Sequence, residues 1–313
     1  ISAVGVALAL AAPAGRQVAI LAAVGAAATT WRLVAGAEPG VAAAFGLAGV
    51  AEATAALVVI QQVVPRWLLL DRRRAVLVFV LAATAGGVVG GAVLLGVAAV
   101  VGTSPLVSAE VFTVRALGGT AGILTVAPPL MLGPRLVRLG LRSWVELAVA
   151  GVALLVTTDL AFTTGGARDL VLPYVPLGVL LLAAVRVRVP AVAVLPLALV
   201  PVAIGRSVAG DGSIRELMPT PFAVLVAVQL FVIVALVAAW LVAVTATERE
   251  DAVAEVAEGQ LRLLFDQSPT PIAVTDMQGR LVRVNRALAD LLGTGSGDLV
   301  GRPIAYFVHP EDR

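Results

Sequence analysis

The chain is 313 residues long, 60% apolar and only 13% charged, with a mean hydropathy of +1.02 and a formal net charge of +2. This excludes an ordinary water-soluble globule, where about a quarter of residues are charged, and points to a bilayer as solvent. No Cys and a single His exclude disulfides, cysteine nucleophiles, and thiolate or histidine-cluster metal sites.

The basic residues do not read as a nucleic-acid surface. All 22 are Arg, and most sit in short stretches between apolar runs, the pattern that orients a chain in a membrane. The chain starts inside an apolar run and stops inside a soluble pattern, so both ends read as cut.

Nine apolar runs follow one another, at residues 1–14, 18–36, 41–64, 75–101, 111–132, 144–162, 170–185, 189–204 and 222–244. Most are long enough to cross about 30 Å of hydrocarbon as helices rising about 1.5 Å per residue. The first reads as cut short, and the seventh and eighth are short and contain Pro. Alternate connections carry ten Arg (Arg16; Arg66, Arg72, Arg73, Arg74; Arg135, Arg138, Arg142; Arg186, Arg188) against three (Arg168, Arg206, Arg215) on the intervening ones. Arg32 and Arg115 fall within or at the ends of spans and are left out of this sum. The positive-inside rule places the Arg-rich connections, and everything after Val244, in the cytoplasm.

The composition switches at Thr245. The stretch TATEREDAVAEVAEGQLRLLF is charged and helix-prone, and Val253, Val256, Leu261 and Leu264 lie near one face at roughly heptad spacing. This predicts a linker helix that pairs with its copy in a dimer; a solvated linker is the alternative. Pro269 and Pro271 break that helix. A strand is predicted over 272–275, a turn over 276–279, a second strand over 281–285 and a short helix over 286–292 stopped by Gly293. Asp276 and Gly279 suit a tight hairpin, and Asn285 suits a helix cap.

The run FDQSPTPIAVTDMQGRLVRVNRALADLLGTGSGDLVGRPIAYFVHPEDR resembles the N-terminal half of a PAS domain. The features stand in the family's order: the Pro-containing lead-in, D-x-x-G at Asp276 and Gly279, Val284–Asn285, Gly293, L-V-G ending at Gly301, and H-P-E-D beginning at His309 and Pro310. The resemblance implies an α+β fold with an antiparallel sheet, used to sense small ligands or to relay signals between dimeric neighbours. The family's haem- and flavin-holding residues lie in the missing half, so the cofactor is unknown. His309, in its turn, reads as structural.

The apolar region resembles the first of the MASE-type membrane-associated sensor domains of bacteria. The resemblance rests on GVALALAAPAGRQVAILAAVGA (5–26), AEATAALVVIQQVV (51–64), GGTAGILTVAPPLML (118–132) and LPYVPLGVLLLAAVRVRVPAVAVL (172–195). The chain departs from that family at Gly119–Thr120, where an acidic residue is frequent. Together these resemblances imply a mostly α protein: a polytopic transmembrane bundle of about nine segments (1–245), a signalling linker helix (246–263) and the N-terminal half of a PAS domain (264–313).

Charged groups in hydrocarbon cost about 2.5–3.5 kcal/mol each on insertion scales, so those within spans call for a role. Glu52, Arg115 and Asp159 are expected to line a polar cavity that senses a small molecule, or else to form packing pairs within the bundle. No catalytic constellation is visible. The resemblance implies a multi-pass receptor of the bacterial inner membrane that relays an unidentified stimulus through a cytoplasmic PAS domain. The output would be a diguanylate cyclase or phosphodiesterase beyond this segment; a histidine kinase is the alternative. A secondary transporter with a regulatory tail is the reading of another class. The expected partners are the lipid bilayer, a second copy through the linker helix and PAS domain, and a small-molecule stimulus, with no nucleic acid.

Overall fold

The computed structural model describes residues 1–63, 72–102, 108–163, 174–187, 189–209, 218 and 220–307. They form two compact units, Ile1–Thr247 and Glu248–Arg313.

The first unit is all helix: α1 (Ser2–Ala11), α2 (Ala14–Val34), α3 (Pro39–Val63), α4 (Arg73–Val101), α5 (Ala109–Leu136), α6 (Leu141–Thr163), α7 (Val175–Arg186), α8 (Val189–Val192) and α9 (Pro196–Ala209). It ends in the first part of α10 (Pro221–Gln267). Seven stretches among the described residues are long and apolar enough to cross a membrane, which is compatible with a multi-pass membrane protein. Their outward faces are as apolar as their inward ones: Leu81, Val149, Val152 and Val234 are each more than 60% exposed. A bundle apolar on both faces suggests membrane embedding.

Two of the nine predicted runs form helices too short to span. Helix α1 has 10 residues and α7 has 12, hence about 15 and 18 Å at about 1.5 Å per residue. The eighth run is not one continuous helix. It turns at 193–195, and α9 restarts at Pro196, a residue suited to a first turn because it has no N–H to satisfy there. Helix α5, by contrast, runs through Pro128, Pro129 and Pro134.

Lipid supplies no hydrophobic drive between helices, so close approach rests on small residues. The clearest case is GGVVGG, residues 86–91 of α4. Gly86 and Gly90 face α3: a Cβ on Gly86 would stand 2.8 Å from the Glu52 carbonyl oxygen, and one on Gly90 3.2 Å from that of Ala48. Gly87 and Gly91, one residue on in each case, face Thr120 and Phe112 of α5. One four-residue period thus serves two neighbours. Buried hydroxyls bond back to carbonyls one turn earlier, as Thr125 does to Ala121 at 2.7 Å.

The second unit holds the end of α10, an antiparallel hairpin of β1 (Ala273–Thr275) and β2 (Leu281–Val284), and the short helices α11 (Arg286–Leu291) and α12 (Ser296–Leu299). A 3-10 turn follows at Ile304–Phe307. Residues 301–304 run beside the hairpin, with Leu281 donating to the Arg302 carbonyl at 2.9 Å and Gly301 to that of Leu281 at 2.7 Å. A small core of Leu281, Val284, Ala289 and Leu299 lies beneath.

Candidate functional site

Helix α2 ends, and α3, α5 and α10 begin, at one end of the bundle. There they enclose a cleft of about 770 Å³. Its walls are apolar and aromatic, with Trp31, Phe45 and Phe222 among them. Its charged groups are Arg32, Glu110, Glu52 and Arg115. The Arg32 guanidinium lies 3.8 Å from the centroid of the Phe45 ring, a cation–π arrangement that orders one wall.

Deeper in the cleft, Arg115 Nη2 on α5 donates to Glu52 Oε2 on α3. The side chains are 17% and 3% exposed. Each charge alone would be costly at this depth; paired, they neutralise one another. Glycines give the pair its room. A Cβ on Gly119 would stand 2.8 Å from Arg115 Nη1 and 2.9 Å from Glu52 Oε1, and one on Gly90 would stand 3.0 Å from Glu52 Cβ. The pair therefore sits where α3, α4 and α5 approach most closely.

Helix α10 also reaches this region. Gln229 Nε2 donates to the Val114 carbonyl at 3.3 Å, and a Cβ on Gly118 would come within 3.0 Å of the same nitrogen. Gln229 Oε1 is buried and has no partner among the described residues.

Of the three charged residues expected to share a cavity, Glu52 and Arg115 come together and Asp159 does not join them. Asp159 on α6 takes Arg206 of α9 as partner, with Nη2 at 2.6 Å and Nε at 2.8 Å. Both side chains are more than 40% exposed, and neither lines the cleft. The sequence pattern leaves Arg32 aside as a span-end residue, counts Arg206 among the connection charges, and does not single out Glu110, Gln229 or the paired glycines of α4. The i, i+4 spacing of Gly86 with Gly90, and of Gly87 with Gly91, is the signal that could have located the close approach.

In the second unit, Asp276 Oδ1 accepts from the backbone N–H groups of Gln278 (2.9 Å) and Arg280 (2.8 Å), and Gly279 takes φ +75° to close the hairpin. Gly293 and Gly301 also have positive φ, at +67° and +87°. Asn285 is fully buried and does more than cap α11. Its Oδ1 accepts from Leu288 N–H (3.0 Å) and Ile272 N–H (2.9 Å), while Nδ2 donates to the carbonyls of Thr270 (2.8 Å) and Ser268 (3.3 Å). One side chain thereby joins the exit of α10 to the start of α11. Nearby, Arg283 of β2 lies 4.5 Å from the ring centroid of Phe265 in α10. His309 and Pro310 lie outside the described residues. Among the described residues no group of His, Cys, Asp or Glu is placed to hold a metal ion.

Residues 259–312 match the sequence model of a family described as PAS domain. No curated protein and no solved structure matches the chain.

Proposed function

We propose that the chain is the sensory part of a bacterial inner-membrane receptor, a reading supported by the match of residues 259–312 to a PAS domain, which suggests a signal-sensing role. The helical unit, residues 1–245, is a MASE-type sensor domain, and residues 246–263 are the signalling linker. A small molecule entering the cleft biases the packing of α3, α5 and α10. Helix α10 passes that bias to the PAS domain, 264–313, on the cytoplasmic side. Two copies pair through the linker helix and PAS domain, and the output is a diguanylate cyclase or phosphodiesterase. The observation that carries this reading is the cleft itself, with its buried ion pair, lined by the first turns of α10, whose later turns lead into the PAS domain.

Where the resembled sensor family frequently has an acidic residue, this chain has Gly119–Thr120, and Glu52 brings a carboxylate to the space that Gly119 leaves.

The test is expression of the full-length protein in a bacterial host. Cyclic-di-GMP is expected to change relative to an inactive control, and Arg115→Gln is expected to alter that change at equal protein level. Unchanged cyclic-di-GMP with autophosphorylation from ATP would move the output to a histidine kinase. Neither response, with solute accumulation by vesicles instead, would replace the receptor with a transporter.

A further inference from the structure

Resting on that reading, we propose that the cleft binds a small amphipathic carboxylate, an aromatic or aliphatic acid, whose carboxylate takes the free donors of Arg115 in competition with Glu52.

The guanidinium of an Arg presents five N–H donors in a planar fork. Arg115 directs one nitrogen at Glu52 and has no other hydrogen-bond partner among the described residues. Its side chain is part-exposed and lines the cleft, whereas Glu52 is almost fully covered. A cation held at depth, satisfied on one side and open to a cavity on the other, suits a second anion with bidentate geometry. The rest of the cleft takes the body of such a molecule. Phe45, Phe222, Val111 and Leu225 supply apolar wall, and the volume falls in the range of small-molecule sites. A second cation, Arg32, stands over Phe45, and Glu110 on the same lining balances it, so Arg115 is the cation left to hold a carboxylate.

Glu52 gives the site its sensitivity. It already neutralises Arg115, so an incoming carboxylate must share that cation or displace Glu52. Either changes how α5 is held against α3, at the point where Gly90 and Gly119 leave no slack. Binding and a change of helix packing are thus one event.

The test uses the 313-residue chain in phosphatidylcholine nanodiscs, with phenylacetate as probe and phenylacetamide as its neutral isostere, titrated calorimetrically. Phenylacetate is expected to bind once per chain and phenylacetamide not to bind. Glu52→Gln removes the competitor and is expected to tighten phenylacetate binding about tenfold. A merely structural ion pair gives no such gain. If Glu52→Gln does not fold, Glu52→Asp, whose carboxylate is set back by one methylene, is expected to tighten binding by a smaller factor. Gly122 lines the cleft, and a Cβ there meets nothing within 4 Å, so Gly122→Leu is expected to narrow the cleft and weaken phenylacetate binding in a folded protein. Equal binding of acid and amide overturns the proposal. So does an absence of phenylacetate binding, affinity unchanged by Gly122→Leu, or no tightening in folded Glu52 variants. If cleft substitutions still alter cyclic-di-GMP while the acid shows no preference, the receptor reading stands and the carboxylate does not.

Discussion

Arg115 and Glu52 are 63 positions apart in the chain, yet the guanidinium of one donates directly to the carboxylate of the other inside the helical bundle. Removing one partner leaves a charge stranded in a low-dielectric site, which costs about 3–5 kcal/mol, while removing both costs much less. Arg115→Gln is therefore expected to lower stability by that amount in denaturant titrations of the purified protein. The Glu52→Gln, Arg115→Gln double variant is expected to recover part of the loss. Strictly additive effects would mean that the two side chains do not interact.

The glycines of α4 are not equivalent to other helix glycines. Gly87→Ala places a Cβ against the backbone of α5 at Ala116 and Thr120, so it is expected to cost folded yield and about 1–3 kcal/mol. Gly96, on the same helix, has nothing within 4 Å of its Cβ position. Gly96→Ala is expected to be neutral or to stabilise by up to about 1 kcal/mol, because Ala is the better helix former. Thermal unfolding of the two variants side by side checks the contrast.

Asn285→Ala would strip two backbone donors and two carbonyls of their partner at a fully buried position. A loss of about 2–3 kcal/mol is expected in the PAS unit, from the cap and the unsatisfied groups together. Hydrogen exchange should report it as faster exchange at residues 270–272 and at the start of α11. Change confined to α11 would mean that the side chain acts as a helix cap alone.

Val253, Val256, Leu261 and Leu264 on α10 are each at least 60% exposed. If this stripe pairs with a second copy, single cysteines at Val253 or Val256 are expected to form disulfide-linked dimers in membranes. A cysteine at Glu255, near the opposite face, is expected to crosslink much less. Equal crosslinking at all three positions would argue against a defined interface.

Much of the architecture was legible because long apolar runs have few fates: residues 41–64, 75–101 and 111–132 became α3, α4 and α5 with ends shifted by a few residues. The turn chemistry of the C-terminal unit was equally local, and Asp276, Gly279, Asn285 and Gly293 took the conformations their residue types favour. What stayed hidden depends on which helices meet. Glu52, Arg115 and Asp159 look alike in sequence as charges within spans, but only tertiary packing decides that Asp159 pairs with Arg206. The bonds that Asn285 makes to Ser268 and Thr270 also follow from contacts no short pattern encodes.

In the proposed receptor α10 crosses the membrane between its first turns, at the cleft, and the PAS domain, so labels at the two places would be reached from opposite sides. Because the chain has no cysteine, single exposed sites can be labelled without background. Ala109→Cys lies at the start of α5, near the cleft, and Ser296→Cys lies at the start of α12 in the PAS unit. With a membrane-impermeant maleimide, Ala109→Cys is expected to react in spheroplasts and Ser296→Cys only after lysis. If both react from the same side of the intact membrane, no signal crosses the bilayer along this chain, and the receptor account is wrong.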